Sequence, residues 1–249
     1  VPSPHRRRKR AETMKTASAL AAAWLIPALA CAAAEPSAPQ AITASYSLSR
    51  NGIAVAVIHE TFESKDGAYR IVSETRAVGL LALVERQPLR FVSSGQVTAS
   101  GLRPLQFEGK RGESDPRQVR GEFDWETSQL TLVHGGKTDV MALPRDAQDR
   151  LSFLYQFMFH AFDQRNQMEL AMTNGRKLGH YIYTVNPEVE IDTPLGPMKT
   201  LHIVKQHLPD ESGAEIWLAP EHRFLPVKML VLEEDGVRYE QVITRIEIK

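Results

Sequence analysis

From residue 42 onward the chain alternates between apolar and polar positions in steps of two, and turn residues interrupt the alternation at short intervals. Ile53, Val55 and Val57 are separated by smaller or polar residues, which is the spacing of a half-buried strand. Asn51-Gly52 stands between this segment and residues 42–50, so the two are predicted to form a hairpin. Asp66-Gly67, His134-Gly135-Gly136, Asn174-Gly175, Leu195-Gly196-Pro197 and Asp235-Gly236 punctuate the rest. This pattern predicts about eleven strands. Residues 108–120, rich in Gly, Pro and charge, are expected to form a solvated loop, and no fixed-period repeat is visible.

One segment departs from the two-residue period. Residues 147–163 place Leu151, Leu154, Tyr155, Met158, Phe159 and Phe162 at helical spacing, with Asp146 or Asp149 available to cap the start. Phe153 and Phe157 fall outside that stripe and widen the apolar arc to about 240°. Only Ser152, Gln156, His160 and Asp163 remain as a polar edge. A helix lying on a flat sheet needs a far narrower arc, so this one must be enclosed by more than one surface. The expected fold is mainly β: a large, curved antiparallel sheet or incomplete barrel enclosing one main α-helix at residues 147–163. A two-sheet sandwich is the alternative.

The first 34 residues follow a different logic. Lys15 follows Met14, and residues 17–30 are apolar apart from Ser18, which is the outline of an export signal. The run is shorter than the roughly 20 apolar residues a membrane span needs, and Pro27 interrupts it. Residues 1–13, ahead of Met14, are expected to be upstream sequence or an extended basic flank. Ala32, Ala33 and Ala34 form a small-residue cleavage site before Glu35, so the expected division is a signal segment at 1–34, a linker at 35–41 and a single β-rich domain at 42–249. Ala28-Leu29-Ala30-Cys31 offers a competing, lipid-anchored end, with Ala28 where lipoprotein signals favour Leu. The expected address is the periplasm, with anchoring through Cys31 as the alternative.

Cleavage changes the composition that matters. Cys31 is the only cysteine, so a mature domain has no disulfide and no thiolate chemistry and relies on burial for stability. Six of the 30 basic and one of the 30 acidic residues lie in 1–34, leaving 24 against 29, a net charge of −5. That sign argues against nucleic acid as a partner, and no transmembrane span is expected after cleavage.

Candidate chemistry is sparse. His59-Glu60-Thr61-Phe62-Glu63 lacks the second histidine of a zinc-protease helix and alternates like a solvated strand. His202 and His207 are predicted on one strand with opposite faces, and His134 sits in a glycine turn. Glu233-Glu234-Asp235 reads as a turn rather than a calcium loop. There is no Gly-x-Ser-x-Gly elbow, phosphate-binding loop or dinucleotide fingerprint. Asp149, Arg150 and Ser152 form the one polar cluster beside a large apolar surface, and the local reading makes them the first turn of a helix. Trp125 and Trp217 are expected in the core, or else on the concave face beside Phe153 and Phe157, with Glu221-His222-Arg223 at the rim of the groove they form.

Several short motifs occur in order across this β-rich region. They are Ser94-Gly95, Gly101-Leu102-Arg103-Pro104, Phe123-Asp124-Trp125, Gln148-Asp149-Arg150-Leu151-Ser152-Phe153, Asn174-Gly175-Arg176-Lys177, Ile216-Trp217-Leu218-Ala219 and Leu225-Pro226-Val227-Lys228. As a set they resemble the domain-of-unknown-function 3108 family of bacterial exported proteins, which implies a periplasmic β-rich domain and no particular activity. The strand pattern with one engulfed helix is also similar, at fold level, to the half-barrel carriers and acceptors of bacterial lipoproteins. The expected function is a non-catalytic envelope binding module. Its ligand would be an apolar small molecule, a lipid, or a lipidated or extended envelope protein, held by Trp125, Phe153, Phe157 and Trp217. A structural or assembly factor with a filled core is the alternative, and a hydrolase-like enzyme the third. No cofactor and no metal is expected.

Overall fold

The computed structural model describes residues 38–113, 115–159, 162, 167–208 and 211–249. The expected export segment, with Cys31 and the Ala32, Ala33, Ala34 site, and His160 and Asp163 lie outside the described residues.

Tight turns organise the first half of the chain. β1 (Ala41–Arg50) and β2 (Ile53–Lys65) meet at Asn51-Gly52, where φ is 50° and 80°. That left-handed pair matches the twist of the flanking strands, and Arg50 faces Ile53 directly across it. β3 (Ala68–Ala77), β4 (Leu89–Thr98), β5 (Gly101–Arg111), β6 (Val119–Asp124), β7 (Gln129–His134) and β8 (Lys137–Ala142) follow, each antiparallel to the one before. The chain then makes a two-residue strand, β9 (Gln148–Asp149), and a short helix, α1 (Ser152–Gln156). It returns through β10 (Gln167–Thr173), β11 (Leu178–Thr193), β12 (Gly196–Lys205), β13 (Gly213–Ala219), β14 (Leu225–Leu232) and β15 (Arg238–Ile248). β15 pairs with β1, so one continuous fifteen-stranded sheet runs from β8 to β9 with both halves of the chain growing outward from its middle.

Chain connectivity forces this sheet to roll. Laid flat, fifteen strands at about 4.8 Å spacing would span roughly 67 Å. Only residues 143–147 join β8 at one edge to β9 at the other, and six Cα steps reach at most about 20 Å. The edges therefore come together. The Gln148 side-chain amide donates to the Leu102 carbonyl at 2.9 Å, and Gln156 accepts from Leu102 N at 2.6 Å while donating to Ser100 O at 2.8 Å. Two side chains thus seat β9 and α1 against β5. The β10–β11 turn closes on the same region: a Cβ at Gly175 would lie 2.6 Å from Val119 Cγ2, so only glycine permits that approach.

The sequence expectation of a curved, mainly β fold holds, and the two-sheet sandwich does not. The strand count rises from about eleven to fifteen because β6, β7 and β8 are only six residues long and β9 only two, too short to carry a clear period. The expected loop at 108–120 shrinks to 112–118, since β5 continues to Arg111 and β6 begins at Val119.

The helix is also shorter than its pattern implies. Gln148 and Asp149 are extended because their backbone pairs in parallel with Met172 and Thr173, and Arg150 N continues the contact to Thr173 O at 3.0 Å. Helical geometry begins only after Asp149. The Asp149 carboxylate accepts from the backbone N–H of Leu151 at 2.8 Å and of Ser152 at 3.0 Å, which is the work of an N-cap. Residues 157–159 tighten into a single 3-10 turn. The enclosure argued from the wide apolar arc does hold: Leu151, Phe153, Leu154, Tyr155 and Phe157 are all buried although they point in different directions.

Candidate ligand-binding site

Strand periodicity puts three rows of side chains on the inner face of β1 to β4. Glu60 faces Ser73, and Ser73 faces Phe91. One step along, Ile58 faces Thr75 and Thr75 faces Leu89. Leu48 on β1 adds a third level. Across the interior stand Tyr181 and Tyr183 of β11, Ile216 of β13, Met229 of β14 and Gln241 of β15. Leu151, Phe153 and Leu154 close one side from α1. These walls do not meet, and they enclose an open hollow of about 490 Å³. A second chamber of about 350 Å³ adjoins it and shares Leu89, Phe91, Arg150 and Asn174 with it.

Buried polar groups lie along the wall of the hollow beside α1. Glu60 Oε1 accepts from Ser73 Oγ at 2.9 Å and Oε2 from the Tyr155 hydroxyl at 3.3 Å. Burial pushes the Glu60 carboxyl above the usual carboxylate range, against the pull of both hydrogen bonds and of the Arg150 charge. Asp149 is fully buried and accepts from Ser93 Oγ at 2.5 Å, in addition to the two backbone N–H groups it caps. Ser93 in turn contacts the Tyr69 hydroxyl at 3.0 Å. Burial raises the Asp149 carboxyl as well, and its hydrogen bonds oppose that rise.

Arg150 differs from these residues. It is exposed, and its side chain lines both chambers. Its guanidinium carbon lies 4.4 Å from the centre of the Phe91 ring, a cation–π contact. Glu60 and Asp149 support its charge electrostatically. Both carboxylates, however, spend their oxygens on neutral donors. No histidine is among the described residues lining either chamber. Ser93, which bonds Asp149, is itself fully buried.

Residues 43–242 match the family described as Protein of unknown function (DUF3108). The chain belongs to that family. No curated protein matches this DUF3108 chain. Among solved structures it is similar to a beta-barrel-like protein of the DUF1849 family from Brucella abortus, at 10% identity and a TM-score of 0.56. That match covers 86% of this chain and 99% of the other and shows a shared fold. A lipoprotein candidate from Parabacteroides distasonis aligns at 9% identity, covering 84% of this chain and 97% of its own, with a TM-score of 0.35. An exported-protein candidate with a YmcC-like fold from Bacteroides fragilis aligns at 11% identity, covering 85% and 97%, with a TM-score of 0.30.

Of the four aromatic residues that the sequence of this DUF3108 member suggests for a groove, only Phe153 lines the hollow. Phe157 is buried behind it, its ring 4.9 Å from that of Phe153 in an edge-on contact. Trp217 follows the inward-facing Ile216 by one position and so takes the opposite face, stacked at 4.4 Å on His202. His202 is itself bonded to Glu215 at 2.7 Å. Trp125 lies past the end of β6, donating to Pro104 O at 2.6 Å under Arg103. Glu221, His222 and Arg223 form a turn that lines neither chamber.

Two site residues escaped the sequence reading. Glu60 shares its strand face with Ile58 and Phe62, and a carboxylate on an apolar face was the available signal. Arg150 belongs to the polar cluster read as a helix start. That reading is right for Asp149, while the guanidinium one position on points into the hollow.

Proposed function

We propose that this protein is an exported envelope binding module that holds an apolar ligand, or the apolar part of a larger partner, in the hollow beside α1. The single observation carrying this reading is an open space of about 490 Å³ beside α1 whose walls are mainly apolar. Protein interiors leave few voids larger than a water molecule, and ligand sites typically occupy about 300–1,000 Å³. A filled core, as a purely structural factor would have, leaves no such space. The export segment supplies the address: release at Ala34 places the domain in the periplasm, and lipidation at Cys31 places it on a membrane.

Titration with a hydrophobic fluorescent probe, paired with native mass spectrometry of the protein extracted under mild conditions, tests this. Saturable binding by the folded domain, weakened by Met229→Trp through partial filling of the hollow, is the expected result. A clean unliganded spectrum with no saturable probe binding would overturn the carrier reading in favour of an assembly role.

A further inference from the structure

The two chambers differ in chemistry, and the difference points to a class of ligand. The larger one is walled mainly by Leu48, Ile58, Leu151, Leu154, Ile216 and Met229. The smaller one carries Arg111, Arg117, Arg150 and Arg176 against a single carboxylate, Asp115. That carboxylate is already committed, since it accepts from Arg111 N at 2.7 Å and Arg117 N at 2.9 Å. Arg111 also reaches outward to Glu85 at 2.8 Å. Arg150 makes no hydrogen bond through its guanidinium among the described residues, and neither Glu60 nor Asp149 forms a contact ion pair with it. A guanidinium without a hydrogen-bonded counter-charge, set where an apolar chamber meets a cluster of three further arginines, attracts anionic oxygens. Arginine's planar fork suits carboxylate and phosphate alike.

We propose that the hollow takes an amphipathic anion, a single alkyl or acyl chain ending in a phosphate or carboxylate. Its chain lies in the larger chamber and its acid group lies between Arg150 and the neighbouring arginines of the smaller one. This rests on the binding reading above and specifies the ligand for it. The shared walls, Phe91 and Leu89, mark the point where chain gives way to head group.

The test compares four probes on the full domain by calorimetry: dodecyl phosphate, dodecanoate, dodecanol and inorganic phosphate. The two amphipathic acids are expected to bind at least about tenfold more tightly than the alcohol, and inorganic phosphate far more weakly than dodecyl phosphate. Arg150→Gln is expected to abolish the advantage of acid over alcohol. Arg176→Gln, at an exposed position that the fold does not need, reduces the same advantage about threefold and covers the case in which the Arg150 variant does not fold. Equal affinity for acid and alcohol overturns this proposal but leaves the apolar binding reading intact. Inorganic phosphate binding as tightly as dodecyl phosphate overturns it in favour of a free-anion site. No binding by any of the three chain-bearing probes overturns both.

Discussion

Arg150 rests over the face of Phe91, with 4.4 Å between the guanidinium carbon and the ring centre, at the junction of an apolar and a basic chamber. The contact holds a flexible side chain in place without using any of its N–H donors. The donors stay directed at open space, and the positive charge stays at the junction of the two chambers. β4 supplies the ring and the β9–α1 connection supplies the cation, so the junction exists only because the sheet has rolled far enough to bring these elements together.

The buried carboxyl of Glu60 makes stability depend on pH. Below its ordinary value of 4.5 it is neutral in both folded and unfolded chains and costs nothing. Above that value the unfolded carboxyl ionises first, while the folded one, raised by burial, keeps its proton, so stability falls as pH rises through the window up to the folded value. Asp149 contributes in the same direction. Glu60→Gln is expected to remove its share of the decline and to be about 1 kcal/mol more stable than wild type near pH 7 but not near pH 4. Urea unfolding at the two pH values checks this; wild-type and variant curves that stay parallel would sink it.

Enclosure of α1 predicts a steep cost for charge on it. Phe157 is buried with its ring against Phe153 and Phe162, so Phe157→Asp is expected to destabilise the domain by about 3–5 kcal/mol. Ile53→Thr, at a strand end that is 71% exposed, should change stability by less than about 0.5 kcal/mol. Comparable losses at the two sites, measured by thermal and chemical denaturation, would contradict the enclosure.

Gly95 sits at the bulge between β4 and β5, where a Cβ would strike the Arg103 carbonyl and lie 2.9 Å from Pro104 Cα. Backbone cannot retreat as a side-chain tip can. Gly95→Ala is therefore expected to cost about 2–3 kcal/mol, whereas Gly52→Ala, in an open turn at φ 80°, costs only about 1 kcal/mol for its backbone conformation. The ranking, read from denaturation midpoints, is the test; a milder effect at Gly95 than at Gly52 would refute the close approach.

Export is checked at the amino terminus. The mature chain is expected to begin at or near Glu35 and to appear in the periplasmic fraction. Edman sequencing that returned an intact Met14 would end this reading, and a lipid on Cys31 would replace it with the anchored form.

Much of the architecture is written in local pattern. Asn51-Gly52, Asp66-Gly67 and Gly135-Gly136 adopt left-handed turns because little else fits there, and alternation between them determines which residues of β1, β2 and β3 point inward. The apolar arc around α1 was sufficient to require that something surround it. The β-rich class, the curvature and the enclosed helix were therefore all legible from residue order, as was the family through its short motifs. The binding site was not. Whether Trp217 faces the hollow depends on the phase of one strand, and Ile216 took that position, leaving Trp217 buried on the other face against His202. Gln148 and Asp149 carry helical spacing, but a backbone partner at Met172 and Thr173, more than twenty residues away, made them a strand. Arg150 came to line both chambers only when the roll of the sheet brought Phe91 beneath it and led Glu60 and Asp149 to bond elsewhere. Each of these outcomes is a long-range pairing or packing event. Their free energies depend on distances between segments remote in the chain, which no local pattern of residues contains.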